Sequence, residues 1–87
     1  MIKLVSIRRT GATALDLAFN DGSSGRWSAA PLIARDTELT RPLADPAYFA
    51  RGFIEAGALA WPNGLELSAR SLHRRLDEAG ELKRAAA

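Results

Sequence analysis

One histidine, His73, is the side chain best suited to move a proton near neutral pH. Nucleophilic chemistry would need a serine and a carboxylate around it, and a metal site would need further histidine, cysteine or clustered acidic ligands. The chain has no cysteine and no second histidine, and the residues next to His73 supply neither set. Helical spacing places His73 one residue past Leu72, beside an apolar face, so we predict a boundary or surface residue.

Acidic residues could support a second chemistry, because two carboxylates in a shielded pocket can act as general acid and base. The candidates are Asp16, Asp21, Glu55 and Glu66. Nothing in the linear sequence brings two of them together beside an apolar pocket, so we interpret them as solvated acids. Without a recognisable nucleophile, metal-ligand set or phosphate-binding glycine loop, the sequence predicts no enzymatic activity, no metal and no cofactor.

Arginines near the carboxy terminus could bind phosphates, which would make the protein a nucleic-acid binder. The basic stripe consists of Arg70, Arg74, Arg75, Lys83 and Arg84, of which Arg70, Arg74 and Arg75 are the candidate contacts. Arg74 can pair with Asp77 and Glu78 on the same predicted helix, at spacings that bring side chains together. Twelve Lys and Arg against ten Asp and Glu give a formal charge of only +2, so this function is our alternative hypothesis.

The motif Trp61-Pro62-Asn63-Gly64 has two interpretations. Tryptophan is enriched in binding hot spots and an Asn-Gly turn exposes main-chain groups, so the motif could form a recognition surface. Alternatively, Trp61 fills the core where a strand ends, Pro62 blocks further pairing and Gly64 supplies a positive φ. We favour the structural role and expect loss of Trp61 to unfold the protein.

Trp27 is either a core residue or a half-exposed aromatic, and its register does not distinguish the two. An exposed Trp27 beside Arg26 would suit a protein interface. The candidate interaction surface read from the sequence comprises Trp27, Arg26, Trp61, Asn63 and Gly64.

The length of 87 residues allows one domain, which we place at residues 1–82, followed by a frayed tail at residues 83–87. Apolar residues make up 47% and charged residues 25% of the chain, as in ordinary soluble proteins. The lack of cysteine fits a reducing compartment. No apolar run approaches the roughly 20 residues of a membrane span, and the start lacks a signal peptide's apolar segment. We therefore expect a cytoplasmic protein without membrane contact.

Strand signals open the chain. Leu15, Leu17 and Phe19 alternate with polar or small residues, which is typical of a strand with one buried face. A β-prone segment precedes them across a short connection at residues 10–12, and the turn-rich segment 20–25 leads to a third strand. A second hairpin is predicted at residues 53–61.

Helix signals follow. Residues 30–35 allow one turn, and Asp45 before Pro46 predicts a short helix over residues 46–51. Ser68 is a suitable cap for a final helix, whose apolar face consists of Ala69, Leu72, Leu76 and Ala79. The sequence thus predicts an α+β fold, in which a small antiparallel sheet of about five short strands carries a middle helix and a packed carboxy-terminal amphipathic helix.

Four segments together resemble a bacterial family, the domain of unknown function 2442. They are Phe19-Asn20-Asp21-Gly22, Ala30-Pro31-Leu32, Leu43-Ala44-Asp45-Pro46-Ala47-Tyr48-Phe49 and Trp61-Pro62-Asn63-Gly64-Leu65-Glu66-Leu67. The chain departs from the family pattern at Asn20 and Glu66, where an aspartate is commoner, and at Ser28-Ala29. The resemblance implies a small α+β fold, no established catalytic residues and a gene order similar to that of toxin–antitoxin pairs.

Our first hypothesis is therefore a non-enzymatic interaction or regulatory module, placed in a toxin–antitoxin-like pair. Its partner would be another small protein or a second copy, bound through a sheet edge and exposed aromatic side chains. Nucleic-acid binding through the final helix is the alternative.

Overall fold

The amino-terminal part of the chain folds as three antiparallel strands in the computed structural model, which describes residues 1–84. Strand β1 is Leu4–Gly11, β2 is Ala14–Phe19 and β3 is Ser24–Ser28. Leu15, Leu17 and Phe19 are buried on one side of the central strand β2, as the period-two alternation predicts. This meander forms the first sheet.

A second sheet forms from the later part of the chain. Strand β4 is Phe53–Glu55, β5 is Ala58–Ala60 and β6 is Glu66–Leu67. The α+β class is confirmed, but the prediction of one sheet with about five strands is wrong, because residues 1–84 contain six strands in two sheets. A strand as short as β6 has no alternation to detect in the sequence.

The hairpin between β4 and β5 joins the two sheets. It turns at Ala56 and Gly57, whose φ angles are 51° and 83°, as a two-residue hairpin of this kind requires. The Gly57 carbonyl accepts a hydrogen bond from the Leu4 N–H at 2.8 Å, and β1 lies beside β4. A side chain at Gly57 would meet Lys3, whose Cβ lies 2.8 Å from the position of an added Cβ.

Short helical segments connect the sheets. Helix α1 is Ala30–Ala34, a 3₁₀ turn covers Arg41–Ala44 and helix α2 is Pro46–Phe49. Asp45 caps α2 as predicted, because its carboxylate accepts from the Ala47 N–H at 3.0 Å. The predicted helix over residues 46–51 is too long, since the Arg51 N–H already bonds the Tyr48 carbonyl in a tighter turn.

The carboxy-terminal helix α3, Ala69–Glu78, packs on the sheets with Leu72 and Leu76 buried. Ser68 caps it, and its hydroxyl accepts from the Ser71 N–H at 3.1 Å. The helix ends at Glu78, and Gly80, with a φ of 72°, then turns the chain so that the Glu81 N–H returns to the Leu76 carbonyl at 2.9 Å.

The chain beyond α3 reaches the edge of the first sheet. Lys83 and Ser24 form an antiparallel bridge with two main-chain hydrogen bonds, of 2.9 and 2.7 Å. The sequence places Lys83 in a frayed tail, whereas these bonds hold it against β3. The remaining tail prediction, for residues 85–87, lies outside the described residues.

One apolar core lies between the two sheets and α3. Its buried side chains are Leu4, Leu15, Leu17, Phe19, Trp27, Ala29, Leu43, Phe49, Leu59, Trp61, Ala69, Leu72 and Leu76. Within residues 1–84, no helix has the length and apolar character needed to cross a membrane.

Candidate functional site

The tryptophan motif anchors the core. The Trp61 side chain is 2% exposed, and its indole Nε1–H donates to the Phe49 carbonyl at 3.0 Å. An added Cβ at Gly52 would lie 3.0 Å from the indole ring, so the chain passes this ring closely. The preferred structural interpretation of Trp61 is confirmed, and its indole is not part of an interaction surface.

Asn63 holds three segments together. Its main-chain N–H donates to the Tyr48 hydroxyl at 3.0 Å, and its side-chain Nδ2 donates to the Leu39 carbonyl at 3.1 Å. Its Oδ1 accepts from the Leu65 N–H at 3.1 Å. The Asn63 side chain, predicted to be part of a recognition surface, is therefore already engaged in hydrogen bonds within the protein. Gly64 follows with a φ of 94° and open space where a Cβ would stand, so it is the exposed turn residue.

Trp27 belongs to the core. It is 7% exposed, pairs with Leu15 across the sheet and lies 6.4 Å from Trp61 between ring centroids. Of the two alternatives for Trp27, the structure shows the core residue, because the register of β3 turns Trp27 to the same side as Leu15, and both tryptophans of the candidate surface are buried. Arg26, on the opposite face of β3, offers its side chain to solvent, and Asn63 and Gly64 of the candidate surface are exposed as well.

Arg26 is part of a charged row on the outer face of the first sheet. Asp16, on the central strand, accepts from Arg26 at 3.1 Å and from Arg8 at 2.8 Å. The hydrogen bond from Arg8, followed by that from Arg26, holds the pKa of Asp16 below its ordinary value. One carboxylate thus neutralises part of two guanidinium charges, and the row keeps a net positive charge.

A second polar cluster centres on Asp21. One oxygen of its carboxylate accepts from both the N–H and the hydroxyl of Ser23, and the other lies 2.9 Å from Nε2 of His73. Arg84 approaches the latter oxygen at 3.7 Å. The two bonds from Ser23, with a smaller contribution from His73, lower the pKa of Asp21 to about 2.

This cluster is built as a tether, despite containing serine, histidine and aspartate. A nucleophilic triad places histidine between serine and the acid, whereas the Ser23 hydroxyl bonds Asp21 directly. Ser23 is also buried, and the His73 ring packs edge-on against Phe19 with centroids 5.1 Å apart. The arrangement therefore fixes α3 to the turn between β2 and β3.

The sequence does not reveal this pairing. His73 lies beside the apolar helix face, as predicted, but its carboxylate partner is 52 residues away. The local half of the cluster is detectable, because an aspartate two residues before a serine in a turn commonly accepts main-chain and hydroxyl hydrogen bonds.

The three arginines proposed for phosphate binding, Arg70, Arg74 and Arg75, are all exposed on α3. The predicted neutralisation of Arg74 by Asp77 is not what the structure shows. It is Arg84, beyond the helix, that lies 3.6 Å from the Asp77 carboxylate.

Open grooves mark the surface of the described residues. One, of about 850 Å³, lies between the start of β1 and the start of α3. Another, of about 540 Å³, covers the charged row, and one of about 450 Å³ lies between β3 and α3. In the part of the chain that the structure describes, no three histidine or acidic side chains are placed to hold a metal ion.

Comparisons of the chain with protein-family models, with curated proteins and with solved structures give no match. The resemblance to the domain of unknown function 2442 family stays a prediction.

Proposed function

We propose that this protein is a non-enzymatic interaction module that binds another small protein or a second copy of itself. The observation that supports this proposal is a pair of exposed apolar side chains on neighbouring strands. Val5 of β1 is 60% exposed and Phe53 of β4 is 40% exposed. Exposed large apolar side chains on two strands that lie beside each other are candidates for a contact surface.

The two strands form a seam between the sheets, and the hydrogen bond from the Leu4 N–H to the Gly57 carbonyl joins β1 to the turn that follows β4. The core is complete without Val5 and Phe53, since the side chains that fill it come from other positions. Burial of these two side chains by a partner would therefore add apolar contact without rearranging the fold.

The resemblance noted in the sequence favours a partner from a toxin–antitoxin-like pair, and the absence of cysteine favours the cytoplasm as the place of assembly. Both statements are part of the proposal. In this setting the module regulates its partner by contact alone.

Light scattering over a concentration series, together with co-purification from the native host, tests the proposal. We expect the wild-type protein to self-associate or to carry one small partner, and Phe53→Ser to weaken the association about tenfold or more. Leu39→Ser is the matched control, because Leu39 is 44% exposed but lies in a different segment. A wild-type protein that stays monomeric and partnerless contradicts the proposal, as does equal association of the two variants.

Nucleic-acid binding through Arg70, Arg74 and Arg75 is the second candidate function. The observation in its favour is that none of the three forms an ion pair within residues 1–84, while Asp77 contacts Arg84. Such binding must weaken steeply with salt, because counterions are released from the phosphates. Binding to duplex DNA with a flat salt response would exclude this mode.

A further inference from the structure

Strand β3 has an edge that accepts main-chain hydrogen bonds. The Ser24 N–H donates to the Lys83 carbonyl at 2.9 Å, and the Lys83 N–H donates to the Ser24 carbonyl at 2.7 Å. Alternate residues of an antiparallel strand direct both main-chain groups to the same side. The main-chain N–H and carbonyl groups of Arg26 and Ser28 therefore point outward, like those of Ser24, whereas those of Trp27 face β2.

The outward groups of Arg26 and Ser28 have no main-chain partner on this side among residues 1–84. An unpaired strand edge of this kind is a template for another extended chain. The bridge to Lys83 shows that a main chain can occupy the same edge, and it closes only the end of β3 at Ser24.

An apolar groove runs along this open part of the edge. It measures about 450 Å³ and lies between β3 and α3. Its apolar lining includes Trp27, Pro31, Leu76 and Ala79. A groove between a strand edge and a helix suits an extended peptide, because main-chain bonds give affinity and alternate side chains enter the groove.

The charges at the rim of the groove indicate the chemistry of the occupant. Arg26 stands on the strand side and Arg75 on the helix side, whereas Glu81 is the acidic residue of the lining. Arg26 shares the Asp16 carboxylate with Arg8. Arg75 forms no ion pair in the described part of the chain, so its guanidinium is available to an acidic group.

We propose that this groove binds an extended segment of a partner protein in which apolar and acidic residues alternate. The segment adds to β3 as a further strand opposite Arg26 and Ser28. Its apolar side chains enter the groove toward Leu76, its acidic side chains on the opposite face meet Arg26, and an acidic residue at the end of the segment meets Arg75 at the rim of the groove. This site is separate from the seam of Val5 and Phe53, so the inference goes beyond the proposed function.

Selection from a library of random peptides of about ten residues tests the proposal, with the intact protein as bait. We expect enrichment of peptides that alternate apolar and acidic residues. A synthetic copy of the most enriched peptide then serves as the probe in fluorescence anisotropy. N-methylation of its amides one at a time should abolish binding at every second position, because only alternate amides face β3.

Arg75→Glu and Arg70→Glu form a matched pair of variants, since both residues are exposed on α3 and only Arg75 lines the groove. We expect Arg75→Glu to weaken binding of the acidic peptide about tenfold or more and Arg70→Glu to leave it nearly unchanged. Circular dichroism confirms that both variants are folded.

The proposal is overturned if no peptide is enriched, if both variants weaken binding equally, or if sensitivity to N-methylation shows no alternation. Phe53→Ser should bind the peptide as the wild type does. Failure of the peptide experiment therefore leaves the self-association of the seam untouched, and the reverse also holds.

Discussion

Nε2 of His73 lies 2.9 Å from Oδ2 of Asp21, although 52 residues separate them in the chain. The contact joins the middle of α3 to the turn between β2 and β3. Ser23 and Arg84 complete the carboxylate's surroundings, so residues from three parts of the chain converge on one acid. These contacts favour the charged form of Asp21 in the folded protein.

Acid should therefore weaken the fold through Asp21. Its pKa falls from 3.8 to about 2 in the folded protein, so folding favours the carboxylate over the protonated acid. The resulting stability is fully present above pH 3.8 and is lost as the pH falls toward 2. We expect Asp21→Asn to lower the stability at pH 7 and to flatten its decline below about pH 4, measured by urea unfolding at a series of pH values.

Asp36→Asn is the control for this experiment. Asp36 pairs with Arg41 at 2.8 Å, and both side chains are largely exposed, so its loss should change stability little. Some acid dependence remains in Asp21→Asn, because the pKa of Asp16 is also lowered, chiefly by Arg8. An unchanged pH profile in Asp21→Asn would show that the carboxylate does not contribute to folding.

Replacement of Trp61 should remove most of the stability of the domain. Trp61→Ala leaves a cavity in the core and costs about 3–5 kcal/mol, which is a large share of the stability of a domain of this size. Trp61→Phe keeps part of the ring but loses the hydrogen bond to the Phe49 carbonyl. This loss should lower the stability by about 0.5–1.5 kcal/mol, and the smaller side-chain volume should lower it further.

Tryptophan emission provides an independent measurement of the same site. In the Trp27→Phe variant, Trp61 is the remaining tryptophan and the source of the tryptophan emission. This emission should be blue-shifted and poorly quenched by iodide in the folded protein. Red-shifted emission with free quenching would show that Trp61 is exposed to water.

Ala56 is the position where a single substitution should stabilise the protein. Its φ of 51° is costly for a residue with a Cβ, by roughly 1–2 kcal/mol. Glycine removes this cost. Its greater conformational freedom in the unfolded chain opposes folding, however, by about 0.4–1 kcal/mol. We expect a net gain of about 0.5–1 kcal/mol for Ala56→Gly, measured by thermal unfolding.

Gly57→Ala is the opposite test on the neighbouring residue. Gly57 has a φ of 83°, and an added Cβ would lie 2.8 Å from Cβ of Lys3. This change should destabilise the protein by more than Ala56→Gly stabilises it. Equal and small effects at the two positions would indicate that the turn between β4 and β5 is not held in this conformation.

Local signals in the sequence predict the elements of the fold well. The alternation of Leu15, Leu17 and Phe19 indicates β2, and Asp45 and Ser68 mark the starts of α2 and α3, because these patterns depend on the geometry of adjacent residues. The same reasoning cannot assign β6, whose two residues pair with β5 only after Asn63 and Gly64 have reversed the chain.

Candidate sites are harder to predict, because they depend on register and on distant contacts. The side of the sheet that Trp27 faces follows from its pairing with Leu15, which no local pattern around Trp27 reveals. The groove beside β3 needs α3 and the segment around Glu81 to be placed first. Sequence reasoning therefore identified Arg26 as a surface residue candidate but not the edge on which it lies.

Replacement of Asn63 by aspartate exchanges one side-chain atom, the amide nitrogen, for an oxygen. Asn63→Asp keeps an oxygen that can accept from the Leu65 N–H but replaces the Nδ2 donor, so a carboxylate oxygen would face the Leu39 carbonyl. The loss of one hydrogen bond and the repulsion between two facing acceptor oxygens should lower the free energy of unfolding by about 1–3 kcal/mol, measured by urea unfolding.

Asn20→Asp is the matched control, because Asn20 likewise accepts from the Lys3 N–H and donates to the Met1 carbonyl at 2.8 Å. Met1 is fully exposed, so solvent can replace the lost donor there and the cost should be smaller. Equal costs at the two positions would contradict the role of Asn63 in holding the loop of Leu39 against the turn.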